Sequence, residues 1–330
     1  MTTRETTRIA AITLAIGAPT ACSSLNVQAV NALELCSGVI VDAGSKRIYL
    51  MSPDKTVDAV AIPSGETIWS VELAAKPLSI SDGALVCQAE AAESLNQLNL
   101  VVLDANQGGQ QLSSSSVALP PNVVARIDDD LTDRFRTWAT VVQDDSFISW
   151  QYEAIPMKGM PTGGLPGQPP GEFAGVPKET TGMVRLNVPT GRAAPLTPAD
   201  VPDVVRDAQP AAMTAMDGAA ADPRQRLSID SRHTLRSKRV ADDSVWEKYE
   251  WTIVDNETGN EVGRLRSHLS QSAFVVVGSR ILFETGPFVR RTETGLVEEP
   301  RSVRASDLQT GNLVWSRSVR DTAYRGPFPP

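Results

Sequence analysis

At 330 residues, with 41% hydrophobic and 21% charged side chains, the chain lies in the ordinary globular range and can bury a sizeable core. Its 23 glycines and 23 prolines favour turns over long helices and argue against an all-helical bundle. The net charge of −8 is confined to the front, since residues 1–150 hold 9 basic and 17 acidic groups and residues 151–330 hold 22 of each; without a basic stripe, nucleic acid is not an expected partner.

The amino terminus has the shape of an export signal. Arg4 and Arg8 precede a short apolar stretch, Ile9 to Ala18, too short to span a membrane. Pro19-Thr20-Ala21-Cys22-Ser23-Ser24 follows and resembles a bacterial lipoprotein signal, in which a small residue precedes a cysteine that becomes lipidated. Pro19 departs from the usual Leu. The resemblance implies lipidation of Cys22, a membrane anchor, and a place in the periplasm or cell envelope. Cleavage after Ala32, giving a soluble exported product, and an uncleaved leader are the alternatives. If Cys22 carries lipid, Cys36 and Cys87 remain as a pair for which an oxidising compartment permits a disulfide, and two separate buried thiols are the equal alternative.

Further along, a short pattern returns five times. The cleanest copy runs from Ala305 through Asp307, Thr310 and Gly311 to Trp315; a second runs from Ala59 through Ser64 and Gly65 to Trp69. Weaker copies centre on Gly108, Gly191 and Gly259, with Leu112, Pro195 and Gly263 in place of tryptophan. Four residues before the glycines stand Ala61, Asp104, Asn187, Asp255 and Asp307. Asp or Asn can bond the backbone just downstream, and Gly accepts the positive φ of a tight reversal, so each copy predicts a hairpin. Ahead of the copies lie β-rich strand pairs at 39–50, 78–86, 137–152 and 274–283, with a less regular equivalent at 226–240.

Two hairpins make a four-stranded antiparallel unit too small to bury its own faces, and a series of such units needs radial stacking. The expected fold is therefore an all-β propeller of five recognisable blades over residues 33–322. The 83-residue interval between Gly108 and Gly191 leaves room for a sixth, and a β-sandwich with long loops is the structural alternative. The run ending at Trp315 resembles the tryptophan-docking motif of the PQQ-like (quinoprotein-like) propeller repeats, and Trp69 ends a second good copy. That resemblance spans residues 36–322 and implies that Trp69 and Trp315 pack between adjacent blades. It does not by itself imply a cofactor.

If the family's strand order holds, one face of the ring collects the long excursions. These are the Pro/Gly-rich stretch 156–182, the Ala/Pro/Asp-rich stretch 197–223, and shorter joins at 89–97 and 287–300. This face is the candidate surface for a protein or small ligand. The tail 323–330 either docks onto the first blade or hangs free. The basic run Arg224, Arg226, Arg232, Arg236, Lys238 and Arg239 is expected to form a solvated strand face.

No catalytic residue is expected. His233 and His268 pair with no cysteine or serine motif, no zinc or haem spacing occurs, and the run beginning at Asp128 lacks the Gly and Glu of a calcium loop. Neither a metal site nor a cofactor is expected. The adjacent cysteine pair usual in the quinone-dependent dehydrogenases of the resembling family is missing. The expected function is a non-enzymatic binding or scaffold module at the cell envelope; the alternative is a PQQ- and calcium-dependent dehydrogenase or another propeller enzyme.

Overall fold

The computed structural model describes residues 32–89, 97–121, 123, 134–153, 179–207, 226–228, 232–240, 249–267, 274–286, 288–292 and 295–320. It is an all-β propeller with five radial antiparallel sheets. Blade 1 holds β1 (Ala32–Cys36), β2 (Val39–Asp42), β3 (Arg47–Met51), β4 (Val57–Ala61) and β5 (Thr67–Val71). Blade 2 holds β6 (Lys76–Ser81), β7 (Ala84–Gln88), β8 (Gln97–Asp104) and β9 (Gln110–Ala118). Blade 3 holds β10 (Arg134–Val142), β11 (Asp145–Glu153), β12 (Glu179–Asn187) and β13 (Arg192–Leu196). The helix α1 (Asp203–Asp207) leads on to blade 4, with β14 (Arg226–Ser228), β15 (His233–Arg239), β16 (Tyr249–Asp255) and β17 (Glu261–Ser267). Blade 5 holds β18 (Phe274–Val277), β19 (Arg280–Thr285), β22 (Ser302–Asp307) and β23 (Leu313–Ser318), and the hairpin of β20 (Phe288–Thr292) and β21 (Gly295–Glu299) leaves it between β19 and β22.

In each blade the strands pair in chain order, with β20 and β21 set aside in blade 5, and the outer reversals are tight turns that the sequence supports. In the outer reversal of blade 5, Asp307 accepts the amides of Gln309 and Thr310, and the amide of Gly311 bonds the Asp307 carbonyl with φ at +73°. Asn187 and Asp255 do the same work in blades 3 and 4. Only in blade 2 does the turn gain a residue, so that Gly109, rather than Gly108, bonds back to Asp104. The position equivalent to Trp69 is then Ser113, and Leu112 is exposed.

Blades stack through apolar faces. Four buried clusters join blade 5 to blade 1, blade 1 to blade 2, blade 2 to blade 3 and blade 4 to blade 5. Burying such faces stabilises by roughly 25 cal/mol per Å² removed from water. The outer strands add a recurrent contact on top. Trp315 covers Gly65 of blade 1, where a methyl group would lie 2.7 Å from the Trp315 Cβ, and its indole N–H donates to the Ile62 carbonyl at 2.7 Å. Trp69 covers Gly109 of blade 2 and donates to the Ala105 carbonyl at 3.2 Å. Ser113 takes the same place against Gly191 of blade 3 and Gly263 against Gly311 of blade 5. Arg47 and Arg280 reinforce two of these joints by donating to the Ala105 and Pro63 carbonyls.

Several expectations change. Cys36 lies in a strand, β1, as its strand-like surroundings imply, but that strand adds a fifth, inner member to the four expected of a blade. The stretch 156–182 does not stay irregular to its end, since β12 already begins at Glu179 and pairs with Glu153; the β-branched Thr180 and Thr181 carry it into the ladder. Within 197–223 lies α1, with Val205 buried, and within 287–300 lies the β20–β21 hairpin. The interval between Gly108 and Gly191 holds β9 to β12 and residues outside the described set, and no sixth blade forms among the described residues. At the carboxyl end, the Arg320 amide donates to the Met51 carbonyl of blade 1, while the tail 323–330 lies outside the described residues.

The turn glycines should respond unequally to substitution. At Gly259 a methyl group would meet nothing within 4 Å, whereas at Gly311 it would strike the Arg264 backbone. Gly259→Ala should lose only the ~1 kcal/mol of an unfavourable φ, and Gly311→Ala at least twice that in urea denaturation. A pH effect should appear at Asp255, where the Arg232 guanidinium, donating at 2.8 and 3.0 Å, holds the carboxyl below its ordinary value. A lowered carboxyl stabilises above its unfolded pKa and loses that contribution as pH falls through the folded one. Asp255→Asn should therefore melt lower than the parent at pH 7, with the deficit closing below about pH 4.

Candidate functional site

The innermost strands bring together charged groups that the sequence scatters over 268 positions, from Glu34 to Arg301. β1 lies on the inner edge of blade 1 and touches β6 of blade 2 and β19 of blade 5. It thus places Glu34 near Lys76, the first residue of β6, and near Arg301, which precedes β22. Lys76 is buried, and its Nζ donates to the Thr137 carbonyl on β10 at 2.7 Å. Thr137 in turn donates its hydroxyl to Gln88 at 2.7 Å. Arg301, also buried, donates to Glu284 and, at 2.9 Å, to the Ser37 carbonyl in the turn after β1. Four blades are therefore tied by one network: blade 1 through Glu34 and Ser37, blade 2 through Lys76 and Gln88, blade 3 through Thr137, and blade 5 through Glu284 and Arg301.

The network holds two cations and two carboxylates. Crowding by protein pushes the Glu34 carboxyl above its ordinary value, and the positive charges of Lys76 and Arg301 pull against this. Burial raises the Cys36 thiol strongly, in spite of the nearby Arg301, and does the same to Cys87. Neither sulfur is a thiolate at neutral pH, so neither is an activated nucleophile. They are also two separate free thiols, and the disulfide considered from sequence does not form. Cys36 packs with the apolar cluster between blades 5 and 1, and Cys87 with the one between blades 1 and 2.

The arrangement suits charge-balanced locking better than chemistry. A divalent ion would have to displace Arg301 from Glu284, and among the described residues no three His, Cys, Asp or Glu side chains form a metal-holding group. Gln88, Glu284 and Arg301 lie at or next to the strand ends that border the stretches 89–97 and 287–300, Lys76 stands opposite Gln88 in the ladder, and Thr137 lies within β10. Sequence reading missed all of them, since single polar residues at strand ends have no periodic signature. A lysine opening the apolar run Lys76 to Ile80 was the one available signal.

The residues singled out from sequence lie elsewhere. Trp69 and Trp315 are at blade joints on the opposite face, Trp150 stacks on Phe135, and Trp251 packs edge-on against Phe274 while donating to Ser267. His233 is on β15. Asp145 is held by Arg185 and Asn187. Cys22, Trp246, His268 and the Asp128 run lie outside the described residues.

No family model and no curated protein matches the chain. Among solved structures it is similar to the computationally designed Ika8 protein, at 11% identity over 89% of this chain and 90% of that one, with a TM-score of 0.25. It is also similar to the dihydro-heme d1 dehydrogenase NirN (14% identity, 83% and 45% covered, TM-score 0.24) and to a europium-containing methanol dehydrogenase (10%, 84% and 68%, TM-score 0.23). The blade assignment rests on strand pairing and not on these likenesses.

Lys76→Met would remove one of the two cations beside Glu34 and leave Arg301 as the other. It should lower stability at pH 7 by roughly 2 kcal/mol, less than for a wholly dry pair because Glu34 still reaches solvent. The loss should shrink in melts as the pH is lowered and Glu34 takes up a proton.

Proposed function

We propose that this protein is a non-enzymatic binding or scaffold propeller at the bacterial cell envelope, presenting its loop-rich face to a protein or small ligand. The observation that carries the reading is β1. A propeller ordinarily surrounds a central channel, and here the chain's own first strand lies at that inner edge between blades 2 and 5. The polar groups around it are engaged with one another. Recognition is thereby moved outward to the excursions that leave blades 2, 3 and 5, which a rigid ring holds in place.

The leader motif supports anchorage through lipid on Cys22, which would set the ring close to a membrane. Cys22→Ser should then move the full chain from the membrane fraction to the soluble one. Retention in the membrane fraction would contradict an anchor at that residue.

The enzyme alternative is separated by a thermal melt with and without PQQ and Ca²⁺, because a ligand that binds only the folded state raises its midpoint. The scaffold reading expects no shift. A saturable rise would overturn it.

A further inference from the structure

The ring has one junction unlike the rest. Blades 5 and 1, 1 and 2, 2 and 3, and 4 and 5 each share a buried apolar cluster and an outer-strand residue seated against a turn glycine. Between blades 3 and 4 neither occurs among the described residues. Gly259, the turn glycine of blade 4, has nothing within 4 Å of the place a side chain would occupy. Pro195, the blade 3 residue that would reach it, instead lines an open cleft of about 380 Å³ with Trp150 and Met183.

The blade 4 face turned away from blade 5 is correspondingly polar. Leu235, Trp251, Ile253 and Leu265 point into the shared core with blade 5. Strand alternation then sends Arg236 and Lys238 on β15, Glu250 and Thr252 on β16, and Arg264 and Arg266 on β17 to the other side. The register aligns them in two cross-strand rows, Arg236–Thr252–Arg264 and Lys238–Glu250–Arg266. All four cations are exposed. Arg264 is held by Glu261 and shares Glu250 with Arg266, at 3.9 and 3.8 Å. Arg236 and Lys238 form no ion pair among the described residues. A sheet face that elsewhere in this ring would be apolar thus carries surplus positive charge.

We propose that this face of blade 4 is a docking surface for an acidic polypeptide segment in extended conformation. Charge complementarity selects an anion, and spacing selects its form. Arg236 and Lys238 are two residues apart on one strand, as are Arg264 and Arg266. The cations therefore repeat at about 7 Å, the distance between alternate side chains of an extended chain. An acidic residue at every second position of such a segment would meet both rows, and the arginines can bind carboxylates bidentately. A lipid headgroup layer has no such repeat, and Glu250 at the centre of the face would repel a continuous anionic sheet. The surface is separate from the loop-rich face, so the reading of that face stands or falls independently.

The test is fluorescence anisotropy with the full chain and a labelled ten-residue peptide alternating Asp and Ser. The parent protein should bind it saturably at low salt and lose most of the affinity at 0.5 M salt. Arg236→Glu with Lys238→Glu should weaken binding at least tenfold while leaving the melting midpoint unchanged, since neither residue holds an ion pair among the described residues. Lys46→Glu, on blade 1, should change binding less than twofold. Absence of binding by the parent, or equal binding by the double variant, would overturn the proposal. So would loss of binding to phosphatidylglycerol vesicles in that variant without any peptide binding by the parent, which would mark a lipid surface instead.

Discussion

Among the contacts that join blade 5 to blade 1, the Trp315 side chain is the one on which closure of the first and last blades centres. Trp315 belongs to the last strand and reaches the first outer turn, where it lies over Gly65 and donates to Ile62, 253 residues away in sequence. Arg317 adds its guanidinium to the Gly65 carbonyl at the same place, and Arg320 adds a backbone bond to Met51. Without this joint the row of sheets would part between blades 5 and 1 and expose the apolar face of each, and the joint covers both. The cost is the entropy of joining the chain's distant ends, which grows only slowly with the length of the loop closed. Several aligned contacts are enough to meet it.

The inner network and the outer joints divide the work. Outer joints are apolar and repeated, with tryptophan replaced by serine or glycine where the neighbouring backbone comes closer. The inner network is ionic and occurs once. Buried charges are costly unless paired, so Lys76 and Arg301 constrain which strands can sit beside them and set β1 in register with β6 and β19. Stacking by apolar area alone specifies no such unique neighbour.

Much of the architecture was legible because repeats leave a signature at the residues that make turns. Asp307, Thr310, Gly311 and Trp315 form a unit, and a second good copy and three weaker ones could be aligned on their glycines. Where the turn lengthened by one residue, at Gln107-Gly108-Gly109, the alignment slipped and pointed to Leu112 instead of Ser113. The segment ending at Cys36 reads as strand-like, but its place as an added inner strand was hidden because Ala32 to Cys36 is short, follows a leader, and belongs to no repeat. The start of β12 was hidden because Thr180 and Thr181 adjoin a Pro/Gly-rich stretch. The network was the least legible part, since Glu34, Lys76, Thr137 and Arg301 meet only when the ring is closed.

Hydrogen exchange on the Trp315→Ala protein tests ring closure most directly, because it reads each blade separately. The account predicts faster exchange in peptides covering residues 57–71 and 302–318, on either side of the joint, with residues 97–118 and 179–196 nearly unchanged. Acceleration confined to blade 5, or spread evenly over all sheets, would contradict closure through this contact.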